Sequence, residues 1–270
     1  MLKSVAALIA AAAVFSLPRV CAAFPLPSSS PTDVLFQWRS ERLARFRTSF
    51  DASRYHVQVC FVDDDGVRAR ACEAILERVS EWADAGWWIY PHSASIGAIT
   101  DGSRPWTSLE QTMPFELAKN RLNAPLARLD DGDLSAYDVI LCTDLEVLAQ
   151  VRARMSAVSY EGDDSRVLSL CDFLACGDDR MDALDEELRE LVSPLYSQLV
   201  SMLELPDAYP SQPERWNLLL AASVLSCASL TSFMKECFNE CERLTRRAPH
   251  IESTGASIPA PTDAACALHD

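Results

Sequence analysis

Apolar positions along this chain follow two periods. The run Val57-Gln58-Val59-Cys60-Phe61-Val62 is β-branched or apolar almost throughout and stops at Asp63-Asp64-Asp65-Gly66. That is the pattern of a strand buried on both faces that runs into a loop. From Arg68 the period changes: Ala71, Ile75, Val79 and Trp82 fall on one helical face, and Gly86 ends the segment. Trp87 to Tyr90 predicts a second strand, followed by a loop from Pro91 to Pro105 and a helix between Ser108 and Arg121. Asp138-Val139-Ile140-Leu141-Cys142 is a third buried run, closed by Thr143 and Glu146 at capping-box spacing. Leu145, Leu148 and Val151 make the inward face of the helix that follows.

Arg166 to Leu170 predicts a fourth short strand, and Leu184, Leu188, Leu191, Leu195 and Leu199 mark a helix bent or interrupted at Pro194. Trp216 to Leu244 reads as one long helix, apolar through Met234. Asn217, Ser223, Ser226, Ser229, Thr231 and Ser232 dilute it, which favours a core-packed helix over a membrane span. Residues 246–270, rich in Pro, Ala, Ser and Thr, read as a disordered tail. Strands alternating with helices predict an α/β domain over residues 51–245, a three-layer, four-stranded parallel sheet with helices on both faces. Its ligand site belongs beyond the carboxyl ends of the strands, where the loop Asp63 to Arg68 lies.

Charge changes the picture at the N-terminus. Lys3, the apolar run Val5 to Leu17, Arg19 and the small residues Cys21, Ala22 and Ala23 have the layout of a signal peptide over residues 1–23. Residues 24–50 set Arg39, Arg42, Arg45 and Arg47 and a Ser/Pro cluster against Asp33 and Glu41, an Arg- and Ser-rich, acid-poor composition typical of transit peptides. The Ala23-Phe24 junction resembles the bipartite plastid presequence of algae with secondary plastids, in which a signal peptide ends just before a phenylalanine. A plastid destination is therefore expected, with secretion as the alternative.

Of the chain's 24 Lys/Arg and 39 Asp/Glu, residues 1–50 hold six and two, leaving 18 basic against 37 acidic groups in the rest. So acidic a surface excludes nucleic acid and anionic membranes as natural partners. The ten cysteines fall at irregular positions and several sit inside apolar runs, so they read as small buried hydrophobes. Cys237 and Cys241 share a helix face, but no partner at zinc-finger spacing accompanies them. His92 has no triad partner in sight and reads as a loop histidine.

Four segments, in order, resemble the low-molecular-weight protein tyrosine phosphatases. Val57 to Leu76, with Cys72-Glu73-Ala74-Ile75, resembles the family's strand, phosphate loop and helix start. Ser93-Ala94-Ser95 resembles its Ser-Ala-Gly turn, and Tyr137-Asp138-Val139-Ile140-Leu141-Cys142-Thr143-Asp144 with Leu148 resembles a later strand and helix. Pro206-Asp207-Ala208-Tyr209 resembles the Asp-Pro-Tyr loop that carries the general acid. The likeness spans most of residues 56–240, with an insertion around 178–204.

The resemblance implies a phosphate loop of Cys, five residues, Arg. Aligned from Glu73-Ala74, it places Arg68 on the family arginine and Val62 on the nucleophile, with Asp63, Asp64, Asp65, Gly66 and Val67 between. The thiol is missing, and three carboxylates stand where a phosphate dianion needs donors. Cys60, two residues before the loop and facing away from Val59 and Phe61, is a poor substitute. The expectation is a phosphatase-fold protein, impaired or inactive, that binds a protein or a phosphorylated ligand. The alternative within the same fold is an active phosphatase using Arg68 and Asp207.

The same residues also resemble the first motif of haloacid-dehalogenase-like phosphatases, Asp-x-Asp-Gly. There Asp63 is nucleophile and Mg²⁺ ligand, Asp65 the acid/base, Thr143 the second motif, and Gly177-Asp178 with Asp182 the acidic fourth. Only 34 residues separate Thr143 from Asp178, too few for the elements that normally intervene, so the tyrosine phosphatase fold is preferred. No cofactor is expected under it. Plainer readings stand beside these: Asp63 to Asp65 as a solvated turn, Arg68 as a surface residue at a helix start, and Asp207 as a turn or N-cap residue.

Overall fold

The computed structural model describes residues 31–50, 56–97, 122, 125–158, 164–175, 184–207 and 211–247, with side chains to residue 238 of the last helix. At its centre is β1 (Val57–Asp63), flanked by β2 (Ile89–Ser95) and β4 (Val139–Cys142). β3 (Ala127–Arg128) lies outside β2 and β5 (Val167–Ser169) outside β4, giving the order β3-β2-β1-β4-β5 with every pairing parallel. Five strands replace the expected four. The extra one is two residues long, too short to leave any period in a sequence.

β2 also begins and ends later than predicted. All seven of its residues pair with β1, from Val57 opposite Ile89 to Asp63 opposite Ser95, so Ser93-Ala94-Ser95 and His92 lie in a strand, not in a loop. Pro91 misled the reading, because proline interrupts a sheet ladder when both sides are paired. Among the described residues β3 pairs with β2 only at Ala94 and Ser95, so at Pro91 the strand is paired by β1 alone.

Alternation along β1 separates two cores. Val57, Val59 and Phe61 point into a layer with α2 (Val67–Trp82) and α7 (Pro213–Arg247), while Cys60 and Val62 point into a layer with α4 (Leu145–Ala157) and α3 (Asp133–Ala136). The helices therefore cover both faces, as the α/β pattern requires. The predicted leucine helix is broken around Pro194 into α5 (Glu186–Val192), a 3₁₀ turn at Ser193–Leu195 and α6 (Tyr196–Leu199). Over Pro213–Phe238, α7 is long and apolar enough to cross a membrane, yet 83% of its apolar 18-residue window is buried inside the protein. Two of its diluting polar groups have partners: Thr231 donates to the Cys227 carbonyl at 2.9 Å, and Ser223 accepts from the Cys72 thiol at 3.4 Å.

Residues Pro31–Ser49, which composition places in the presequence, form helix α1. Leu35, Leu43 and Phe46 are buried, and the Phe46 ring stacks on Phe233 of α7 at 5.8 Å. The chain runs from β1 to β2 on one side and then crosses to β4 on the other. Ligands of open α/β sheets bind where strand order reverses in this way, at the carboxyl ends of β1 and β4.

Candidate functional site

β1 delivers Asp63 to that point. Being two residues beyond Phe61, its side chain faces the α2 layer, and it is 0% exposed. Asp64, Asp65 and Gly66 then turn the chain, with Gly66 at φ 80°, left-handed backbone that L side chains resist. A Cβ there would also lie 2.8 Å from a Leu126 methyl. The turn aims the first amides of α2 back at the end of β1. Gly97 is required for a second reason: its N–H donates to the Asp64 carbonyl at 2.9 Å, and a Cβ would stand 2.6 Å from that oxygen. Ser95 donates its hydroxyl to the same carbonyl.

The Asp63 carboxylate gathers the donors of this turn onto itself. Oδ2 accepts the Arg68 N–H at 2.9 Å. Oδ1 accepts the Asp64 N–H at 2.9 Å, Arg68 Nε at 3.0 Å and Nη2 at 2.6 Å, and the Thr143 hydroxyl at 2.9 Å. A buried carboxylate is tolerated when its lone pairs are met this fully, and the N-terminus of α2 adds a favourable dipole. Arg68 is likewise engaged: Nη2 also donates to Asp144 Oδ2 at 2.6 Å, and Nη1 to the Leu205 carbonyl at 3.3 Å. Burial works to lower its pKa, but the carboxylates of Asp63 and Asp144 outweigh that and hold it above the usual arginine value. At neutral pH Arg68 is a permanent cation locked between two anions.

The sequence-predicted residues sort as follows. Val62 is fully buried in the α4 layer, and Val67 in the α2 layer. Cys60 shares the Val62 face, and burial pushes its thiol well above the ordinary range, so neither position offers a nucleophile. Asp64 and Asp65 are exposed, and Asp65 Oδ1 accepts the Val67 N–H at 2.9 Å as a local cap of the turn. Asp207 is exposed, two residues beyond Leu205, whose own N–H reaches the Thr143 carbonyl at 2.8 Å. His92 Nε2 meets Gln58 Oε1 at 2.6 Å, a contact that belongs to the sheet, away from the loop. Glu73 and Ser93, both part of the resemblance, join a buried network: Ser93 and Arg70 donate to Glu73 Oε2 at 2.6 and 2.7 Å, and Arg70 ties in the Pro125 carbonyl at 3.0 Å.

Sequence reasoning missed Asp144. The capping box put the N-cap of α4 at Thr143; the cap is Asp144, whose Oδ1 accepts the Val147 N–H at 2.8 Å while Oδ2 takes Arg68. Asp-x-x-Val ahead of an apolar period was the available signal. Thr143, released from capping, serves Asp63 instead.

For Mg²⁺ the residues fit poorly. Asp63 is saturated by protein donors, and Asp65 is spent on Val67. Among the described residues no cluster of three or more His, Cys, Asp or Glu is placed to hold a metal ion. Gly177, Asp178 and Asp182 lie outside the described residues, as does the helix expected over 108–121.

No protein-family model matches the sequence, and neither does any curated protein. Solved structures do resemble it. A protein tyrosine phosphatase from Entamoeba histolytica aligns over 67% of this chain and 96% of its own at 14% identity, with a TM-score of 0.46. A low-molecular-weight protein tyrosine phosphatase from Bacillus subtilis aligns over 67% of this chain and 98% of its own, at 14% identity and a TM-score of 0.41. YfkJ, also from Bacillus subtilis, gives 17% identity over 67% and 96%, with a TM-score of 0.44. Values this low leave the architecture resting on the sheet order and its helices, and the chemistry named for these proteins does not pass to this chain with them.

Proposed function

We propose that this chain is a phosphatase-fold protein without phosphatase chemistry, which serves as a binding or regulatory domain. One observation carries the reading. In the phosphatases that the sequence resembles, loop amides and an arginine hold the phosphate; here the corresponding Asp64 and Arg68 amides and the Arg68 guanidinium are held by the Asp63 carboxylate. The protein's own carboxylate stands in for the oxyanion. The buried Val62 supplies no electron pair for attack on phosphorus.

Electrostatics support the same reading. A unit charge pair 4 Å apart interacts by about 1 kcal/mol in water and about 4 kcal/mol at a protein surface, so Asp63 repels a dianion by about 2–8 kcal/mol and thereby offsets the attraction of its partner Arg68. Asp64, Asp65 and Asp144 add to that. A protein partner, or a phosphorylated ligand held elsewhere on the domain, therefore suits the molecule better than a phosphate in this loop. The N-terminal pattern supports delivery to the plastid, with secretion as the alternative; a fluorescent fusion of residues 1–50 found outside the cell overturns the plastid destination.

The test of function is turnover of p-nitrophenyl phosphate by the purified chain, with and without Mg²⁺. Background rates are expected in both. Vanadate-sensitive activity that Arg68→Met abolishes overturns the proposal, and Mg²⁺-dependent activity lost on Asp63→Asn transfers the site to the metal-dependent reading.

A further inference from the structure

Helix α1 has the composition of a disposable import signal, and the structure commits two of its four arginines, Arg39 and Arg42, to the interior. Arg39 is 1% exposed; Nη1 donates to the Val200 carbonyl at 3.0 Å and Nη2 to the Met202 carbonyl. Arg42, 3% exposed, lies 3.1 Å from Asp172 Oδ2, an ion pair whose angles fall short of hydrogen-bond geometry. Asp172 is 1% exposed in the 3₁₀ segment Leu170–Ala175 that follows β5, where the same oxygen accepts the Ser169 N–H at 3.1 Å. Phe46 closes the contact against Phe233. A buried ion pair that loses one partner leaves an uncompensated charge, which is strongly destabilising.

We propose that the folded protein keeps α1 permanently, with leader removal ending before Pro31, and that the helix acts as a strap on the Arg68 cluster. The connection runs through one short segment. Arg39 holds its near end at Val200 and Met202; at its far end Leu205 donates to the Thr143 carbonyl and accepts from Arg68. Without the strap the near end keeps its own turn bonds, from the Val200 N–H to the Tyr196 carbonyl and from the Met202 N–H to the Leu199 carbonyl, but loses its tie to α1, and the Leu205 contacts to the site open more often.

The experiment uses the full chain carrying a site-specific protease sequence inserted after Phe50. After cleavage the N-terminal fragment is expected to remain bound through gel filtration. Arg39→Ala, and Arg39→Lys as the milder change that keeps charge but lacks the planar fork that meets the two carbonyls from separate nitrogens, are expected to speed exchange of the Leu205 amide about tenfold or more, the scale set by losing hydrogen bonds to a charged donor. Release of the fragment together with unfolding of the remainder also supports retention. Release with melting and Leu205 exchange unchanged overturns the proposal, and a bound fragment with Leu205 exchange indifferent to both substitutions overturns the strap. The intact mass of the protein from its own cells gives the independent check: a first residue at or before Pro31 is expected, and a later one refutes retention.

Discussion

Replacing Asp63 with alanine tests the reading of the site most directly. The substitution removes the acceptor of the Asp64 and Arg68 amides, the Thr143 hydroxyl and two guanidinium contacts, and leaves Arg68 with Asp144 and the Leu205 carbonyl. The individual bonds do not add, because they converge on two oxygens. Breaking a buried ion pair by deleting one partner costs about 3–5 kcal/mol. Against a typical stability of about 5–15 kcal/mol the variant folds, though less firmly. At about 2–4 °C per kcal/mol for a domain of this size, Tm falls by about 6–20 °C.

The diagnostic part is rescue. If the carboxylate stands in for an oxyanion, its removal exposes a cradle that inorganic phosphate or sulfate fills, restoring about 2.7 kcal/mol at a hundred times Kd. Melting curves in phosphate, sulfate and chloride at equal ionic strength are expected to separate further for Asp63→Ala than for the wild type, whose spread measures the general salting-out effect of the anions. A variant that melts within about 1 °C of wild type, or phosphate that stabilises both proteins equally, refutes the argument.

Further predictions follow from the same geometry. Val62→Cys alone is expected to leave p-nitrophenyl phosphate turnover at background, since the new thiol would be buried in the α4 layer, away from the donors that Asp63 holds; measurable turnover by this single variant contradicts that placement. Gly97→Ala is expected to cost about 1–3 kcal/mol in urea denaturation, the usual range for overpacking, because its Cβ would lie 2.6 Å from the Asp64 carbonyl oxygen. The thiols of Cys60, Cys72, Cys142, Cys171, Cys227 and Cys237 are buried, and burial pushes that of Cys72 up to about 12, so iodoacetamide at pH 8 is expected to label none of the six until the chain unfolds. A raised thiol pKa means that the folded state holds its proton more tightly. The Cys72 contribution is therefore complete below the unfolded value of 9.0 and is lost as pH rises toward about 12, which alkaline melting curves check.

The sequence alone determined the central architecture. Residues 57–62, 138–142 and 166–170 are apolar beyond what a one-sided strand needs, and each precedes a helical period, so a parallel sheet covered on both faces was legible without coordinates. It also determined that no thiol stands at position 62. What it left to tertiary structure was every question of partnership. Three aspartates beside a glycine are compatible with a metal site, a phosphate loop gone acidic or a wet turn, and element spacing alone favoured the second, because charge does not say what a carboxylate meets. The fold separates them: the alternation of β1 turns Asp63 inward onto Thr143 and the amide and guanidinium of Arg68, while Asp64 and Asp65 stay in solvent.

Long-range contacts decided the rest. Asp144 joins Arg68 across 76 positions, a distance at which local propensity carries no signal. The arginines of α1 look like an import signal because composition records their charge, whereas their acceptors at Val200, Met202 and Asp172 lie more than a hundred residues away and become visible only once the chain is packed.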